Sequence, residues 1–370
     1  MNAQHEGIVA IVRALPASTS VYIALLAATF ALHVVFMHYA VGAVLWTLVA
    51  ALRGRFSPGA PRDTLAVVAR DWLPSSVSGA ITAGIAPLLF VQIVYQKSFY
   101  TANLLLFNRW MALLPALIVA IYAMYVVKAH GPARILLKRP VKAAAAIVAA
   151  GLVGYVALAF VENHLLSLAP ASWTERYAEG APPLPSTSVW LRLAMWLLAA
   201  LPTFAALAAW QLRRGAGEAD DDDRARSARP LAATAIAGAA GSLACGAIAW
   251  SARHGGSSVL DDSVGRAAFA TVVVAQAAGA AAWIAIALRR TLVPTAVTIA
   301  LTASLVAIGA HSVLREAARL LVLAGTDAAP REPADVGGLG VFLASVVLGI
   351  GAIAWILRVV ARALAASRPN

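Results

Sequence analysis

Apolar residues run unbroken for twenty positions and more along this chain, and polar residues gather between the runs. Runs of that length match the ~20 residues an α-helix needs to cross a hydrocarbon core of about 30 Å. About nine such segments are predicted by that criterion. They cover 19–51, 76–97, 104–128, 141–168, 187–212, 230–251, 267–288, 292–323 and 338–361. Several exceed the minimum length, which predicts tilt or protrusion beyond the bilayer. Ahead of the first span, Ile8, Ile11, Val12 and Leu15 recur at helical spacing, predicting a short interfacial helix within 1–18. There is no internal repeat and no soluble-domain boundary. The chain therefore reads as one all-α polytopic bundle over 1–370.

Composition agrees with this reading. The 370 residues are 61% hydrophobic and 12% charged, with mean hydropathy +0.79, whereas a soluble domain is about half apolar and about a quarter charged. A net charge of +12 would otherwise point to nucleic acid, but the basic residues occupy short loops and report topology. Arg53, Arg55, Arg62 and Arg70 follow the first span, and Lys128, Arg134, Lys138, Arg139 and Lys142 follow the third. Arg289 and Arg290 follow the seventh, and Arg358, Arg362 and Arg368 close the chain. The intervening loops are poorer in basic residues, notably the one with Trp173, Glu175 and Glu179. The positive-inside rule then places the N-terminus outside and the C-terminus in the cytoplasm, in a bacterial inner membrane. Residues 214–229, rich in Asp and Arg, read as a charged cytoplasmic loop. The single cysteine, Cys245, excludes a disulfide framework, a cysteine metal cluster and a c-type haem attachment motif. The N-terminal segment lacks a basic n-region followed by a short apolar stretch, so no cleaved signal peptide is expected.

Histidines inside apolar segments carry the chemistry, because a polar side chain at membrane depth is expensive. In the predicted orientation His33 on the first span, His164 on the fourth and His311 on the eighth all fall in the outer half of the membrane. Axial imidazoles from facing helices suit haem b, whose apolar ring is buried in a bundle while its propionates need cations. Arg315 and Arg319 follow His311 at i+4 and i+8 on roughly one face, and Arg109 and Arg192 lie near outer helix ends. The same histidines also fit interhelical hydrogen bonding, and the same arginines fit snorkelling to headgroups. His38 lies about 140° round the helix from His33 and cannot ligate the same iron from the same side. His254, His130 and His5 fall in loops or at the terminus and are weaker candidates. Glu162 is the acidic residue well inside the fourth span, and is a candidate proton acceptor for quinol oxidation or an interfacial acid wetted by headgroups. The run Phe90 to Trp110 fits an aromatic interfacial belt, or a pocket wall with Tyr95, Phe99 and Tyr100.

The stretches LHVVFMHYAVGAVLWTLVA and DWLPSSVSGAITAGIAPLLFVQIVYQ together resemble the start of cytochrome bd ubiquinol oxidase subunit I. His33, Phe36 and Gly42 match that family's first-helix pattern, and Trp72, Gly79, Thr82 and Gly84 match its second more loosely. The resemblance covers the first hundred residues or so, and it implies that His33 binds a haem near the outer face. The family's Gly-Arg-Gln-Pro-Trp motif is missing, and VWLRLAMWLL offers Arg192 and Met195 where a fifth-helix histidine would stand. The long quinol loop after span six is reduced to 251–266. Oxygen reduction and that loop's quinol site are therefore not carried over.

The expectation is a haem b electron-transfer subunit passing electrons between the quinone pool and an outer-face partner. That partner would be a periplasmic c-type cytochrome or another respiratory-complex subunit. One haem is the minimum, and His33, His164 and His311 leave room for two. A bd-like oxygen reductase with a rearranged site, a proton-coupled transporter and a cofactor-free membrane anchor are the alternatives.

Overall fold

The computed structural model describes residues 7–15, 17–57, 63–129, 139–180, 186–251, 259–330 and 340–348, together with 351, 355 and 358. Its helices are α1 (Ile8–Ala14), α2 (Ala17–Leu52), α3 (Thr64–Val94), α4 (Gln96–Leu105), α5 (Phe107–Met111), α6 (Leu113–Lys128), α7 (Arg139–Ser167), α8 (Trp173–Glu179), α9 (Thr187–Arg213), α10 (Asp221–Ser251), α11 (Ser263–Arg289) and α12 (Pro294–Leu323). No strand occurs among the described residues. Among the described residues eight apolar segments are long enough to cross a membrane, with α5 and α6 acting as one span. Large apolar side chains such as Leu114, Leu243, Val274 and Leu288 project from them into the surroundings. Water would penalise that surface and lipid does not. The protein is a multi-pass helical membrane bundle.

Of the expected ninth span, residues 340–348 are helical, and Phe342 stands edge-on to Phe90 of α3 at 4.9 Å. Most of the remainder of 338–361 lies outside the described residues, as do His5, His130, His254, Arg62, Arg134, Lys138, Arg362 and Arg368.

Three segments differ from the hydropathy reading. The second span begins at Thr64 instead of residue 76, because Asp63 caps it by accepting from the Ala66 amide at 3.0 Å. The polar start of that helix is sheltered, with the Arg70 guanidinium 5.2 Å from the centre of the Phe56 ring. The segment 104–128 is interrupted at Leu106 and Ala112, so the aromatic turn folds as α4 and α5 before α6. The charged stretch 214–229 is a loop only in its first part. Gly215 and Gly217 turn the chain at positive φ, and Asp221, Asp222 and Asp223 then form the first turn of α10. Three carboxylates at that position favour the positive end of the helix dipole.

Consecutive spans run antiparallel. We call "upper" the end where α2, α6, α9 and α11 begin and where α3, α7, α10 and α12 finish; the basic loops assign this end to the outside. Arginine and lysine side chains tie the lower end by capping carbonyls: Lys128 to Asp71 at 2.8 Å, Arg139 to Leu52 at 2.8 Å, and Arg213 to Leu292 at 2.6 Å. At the upper end Asp262 caps α11 through the Val264 amide at 2.8 Å and accepts from the Ile8 amide at 2.7 Å. This holds α1 against the bundle end, with Ile8 buried among Tyr22, Leu26, Tyr95 and Leu320.

α2 is the hub, packing against α3, α7, α9 and α12. It approaches α9 closely at Gly42, where the missing side chain leaves room for Phe204. Around this point Tyr39, Met124, Leu212, Leu231, Ile286 and Leu292 form the main core, and Tyr39 donates to Gln211 at 2.6 Å.

A Cβ at residue 42 would lie 2.2 Å from the Phe204 Cβ, so the α2–α9 seam would have to open. Gly42→Ala is expected to cost about 1–3 kcal/mol by overpacking and to lower the thermal midpoint in detergent. Gly154→Ala, with open space at its Cβ position, should leave that midpoint unchanged or raise it.

Candidate functional site

α12 delivers a charged stripe to the upper end of the bundle. Arg315 and Arg319 are one turn apart on one face, and Glu316 stands beside them. Glu316 and Arg319 are buried, at 4% and 3% exposure, and their side chains pair at 3.3 Å. Tyr95, at the end of α3, donates its hydroxyl to the other oxygen of the Glu316 carboxylate. The Arg319 guanidinium also covers the Tyr95 ring, 4.8 Å from its centre.

His164 enters from the last turn of α7. Its Nδ1 faces Nη2 of Arg319 at 3.3 Å and Nη2 of Arg315 at 3.4 Å. Two cationic donors on one ring nitrogen require a lone pair there, so a neutral His164 carries its proton on Nε2. Trp196 of α9 lies against this imidazole, with ring centres 6.1 Å apart. Arg192, one turn earlier on α9, lies within electrostatic reach of His164, His311 and Arg315.

Arg315 has the least compensated position. Its guanidinium sits 4.2 Å from the centre of the Phe30 ring, and its Nε is buried without a hydrogen-bond partner among the described residues. Among the described residues its hydrogen bond is to the imidazole of His164, and Glu316 lies within electrostatic reach. No carboxylate pairs with it among the described residues. A half-buried guanidinium whose hydrogen-bond partner among the described residues is a neutral ring nitrogen leaves room for an anion.

One turn below this cluster lie two histidines. Phe30 touches Arg315 across the antiparallel α2–α12 seam, so His33 (i+3 from Phe30) and His311 (i−4 from Arg315) fall at about the same depth, His33 half-buried and His311 exposed. His33 Nδ1 bonds the Ala80 carbonyl of α3 at 2.8 Å. That carbonyl can only accept, so Nδ1 carries the proton and the lone pair is on Nε2, which has no partner among the described residues. The approach depends on Gly84, where a Cβ would stand 3.0 Å from the imidazole. His311 lies beside the carbonyl of Ala307, one turn back on its own helix. A ring nitrogen donating to a carbonyl while the other is left bare is the usual second-shell arrangement of a metal-ligating histidine.

The remaining candidates are bound to other partners, with His38 still in electrostatic reach of His33 and His311. His38 points across the α2–α9 seam and bonds Thr203 Oγ1 at 3.0 Å, an interhelical polar contact. Glu162 and Arg109 form an ion pair with each other. Glu162 lies about 200° round α7 from His164, and it faces α5 instead of the cluster. The neighbouring Asn163 bonds Asn103 of α4. Of the aromatic turn, Tyr95 belongs to the cluster. Phe99 packs edge-on to Trp110 at 5.7 Å, while Tyr100 is exposed and donates to Gln92 at 3.1 Å.

Thus His33, His164, His311, Arg192, Arg315 and Arg319 come together, and Arg109 and Glu162 neutralise one another on another face. Sequence reasoning missed Glu316, although a carboxylate between two arginines in LREAARL is itself a signal at membrane depth. Among the described residues no group of three or more His, Cys, Asp or Glu converges as a metal-ion site; axial ligation by two histidines does not require one. Neither a family model nor a characterised relative matches the chain, so the site is interpreted from its own chemistry.

Because Arg109 and Glu162 are largely buried, removing either one strands the other charge. Single Arg109→Ala and Glu162→Ala variants should each destabilise more than half as much as the double variant. A double-mutant cycle on detergent unfolding should give a coupling of roughly 1–3 kcal/mol.

Proposed function

We propose that the protein is a haem b electron-transfer subunit of a bacterial cytoplasmic membrane, carrying electrons between quinol and a redox partner at the upper face. The observation that carries this reading is Arg315. It is a half-buried cation whose Nε is buried without a hydrogen-bond partner and which pairs with no carboxylate among the described residues, one turn above two histidines at matching depth. A group that is apolar over most of its area, anionic at one edge and ligated by imidazole at its centre fits all three demands. Haem b is such a group, and when bound it supplies one-electron chemistry.

In this reading the chain's own residues divide the work by position. His33 and His311 would hold the iron, His33 through Nε2 with its ring oriented by the Ala80 carbonyl. Arg315 and Arg319, with Arg192 nearby, receive the propionates. His164 holds the two guanidiniums of α12 in place through its Nδ1 lone pair. Phe30 and Trp196 supply apolar walls. The positive charge near the ring favours the reduced state and so raises the potential. Electrons would come from the quinone pool, and a c-type cytochrome or a respiratory-complex subunit would take them at the upper face.

The test is a dithionite-reduced minus oxidised spectrum of the purified protein, with haem counted as the pyridine haemochrome. A b-type band is expected, lost in His33→Ala and in His311→Ala and kept in His38→Ala. Arg315→Gln should keep the band and lower its midpoint potential, as loss of a nearby positive charge requires. A preparation that stays colourless after haem reconstitution overturns the reading.

A further inference from the structure

Glu316 is a buried carboxylate that the ligand arrangement does not use. It rests on two partners, Tyr95 and Arg319, and both can accommodate a change in its protonation. A phenol donates to a carboxylate and can turn to accept from a carboxylic acid. Arg319 keeps a second polar contact, Nδ1 of His164 at 3.3 Å, when its ion pair weakens. Seven residues, about 10 Å at 1.5 Å per residue, separate Glu316 from the end of α12 at Leu323, so upper-side water is close.

We propose that Glu316 is the redox-linked proton acceptor of this site, binding one proton as one electron arrives from a quinol. The inference rests on the haem reading above. One electron adds one negative charge at the site. One proton, drawn from upper-side water, forms an O–H bond on the Glu316 carboxylate, and the Tyr95 hydroxyl turns to accept from it. The charge of the site is then the same before and after, and Arg319 turns from Glu316 toward the added negative charge.

The other charged and titratable groups around Glu316 are less suited to the role. Arg315 and Arg319 on α12 and Arg192 on α9 are guanidiniums that remain charged. His164 on α7 would have to place its proton on Nδ1, facing two guanidiniums. Glu162, also on α7, is turned away and held by Arg109. At the margin, Tyr22 of α2 packs in the same cluster as Tyr95, and Asp262 at the start of α11 is committed to the Ile8 and Val264 amides.

The experiment is a spectroelectrochemical titration of the haem band in the full-length protein from pH 5 to pH 9. Haem content is measured on each variant beforehand, so that loss of cofactor is seen apart from loss of proton coupling. One proton per electron shifts the potential by about 59 mV for each tenfold change in proton activity. The wild type is expected to show a segment approaching that slope, and Glu316→Gln, with haem retained, to be flat over the same range. Tyr95→Phe keeps the carboxylate but removes a donor that favours its ionised form, so the sloping segment should move to higher pH. This second variant decides the matter if Glu316→Gln does not fold. A flat wild-type profile, or a slope unchanged in Glu316→Gln, overturns the proposal while leaving the haem reading standing. Equally, an unmoved profile in Tyr95→Phe counts against it. A wild-type protein that binds no haem removes the ground for both.

Discussion

A guanidinium at membrane depth that pairs with no carboxylate among the described residues is the constraint on which the upper end of this molecule turns. Water cannot solvate Arg315 there, and the protein offers it a phenyl face and one imidazole lone pair. Everything adjacent is arranged around that deficit. Arg319 is compensated by Glu316, Glu316 is steadied by Tyr95, and His164 holds both guanidiniums by the same nitrogen. Such a network is stable as a whole and poor as a fragment, since removing any one member leaves a charge stranded in a low dielectric. It also draws α3, α7 and α12 to one place, with α2 and α9 supplying rings alongside.

Below this cluster the bundle obeys ordinary packing. α2 and α9 meet where Gly42 leaves room for Phe204, and small residues let the helices approach until van der Waals contact does the work. The two regimes are separated along α2 itself. Its first half carries Phe30 and His33 toward the charged end, while Tyr39, Gly42 and Val44 belong to the dry core. His38 lies at the boundary, and its bond to Thr203 gives it a reason to be there that needs no cofactor.

The spans were legible in the sequence because a run of twenty apolar residues has few other uses, and the bundle class follows from that alone. Boundaries were less legible where polar residues belong to helices: Thr64–Ser75 and Asp221–Arg229 read as loops, yet a cap at Asp63 and a favourable helix dipole at Asp221 extend the helices through them. Within the site, i+4 spacing alone placed Arg315 and Arg319 on one face with His311. Depth counting brought His164 to the same level. What could not be read was azimuth between helices. Nothing in the spacing of Glu162 and Arg109 tells that they face each other, and nothing in Tyr95 tells that its hydroxyl reaches Glu316, because those contacts join positions 53 and 221 residues apart. Glu316 itself was hidden by its neighbours, its charge cancelled in any local count.

The carboxylate of Asp262 has a consequence for how the molecule is made. It holds the first turn of α1 to the first turn of α11, two segments 254 residues apart. During synthesis α1 is made before α2, but its docking partner does not exist until the chain up to α11 has been inserted. The amino-terminal helix must therefore wait at the membrane surface and dock late. The clasp closes only on a chain whose α11 has reached its place.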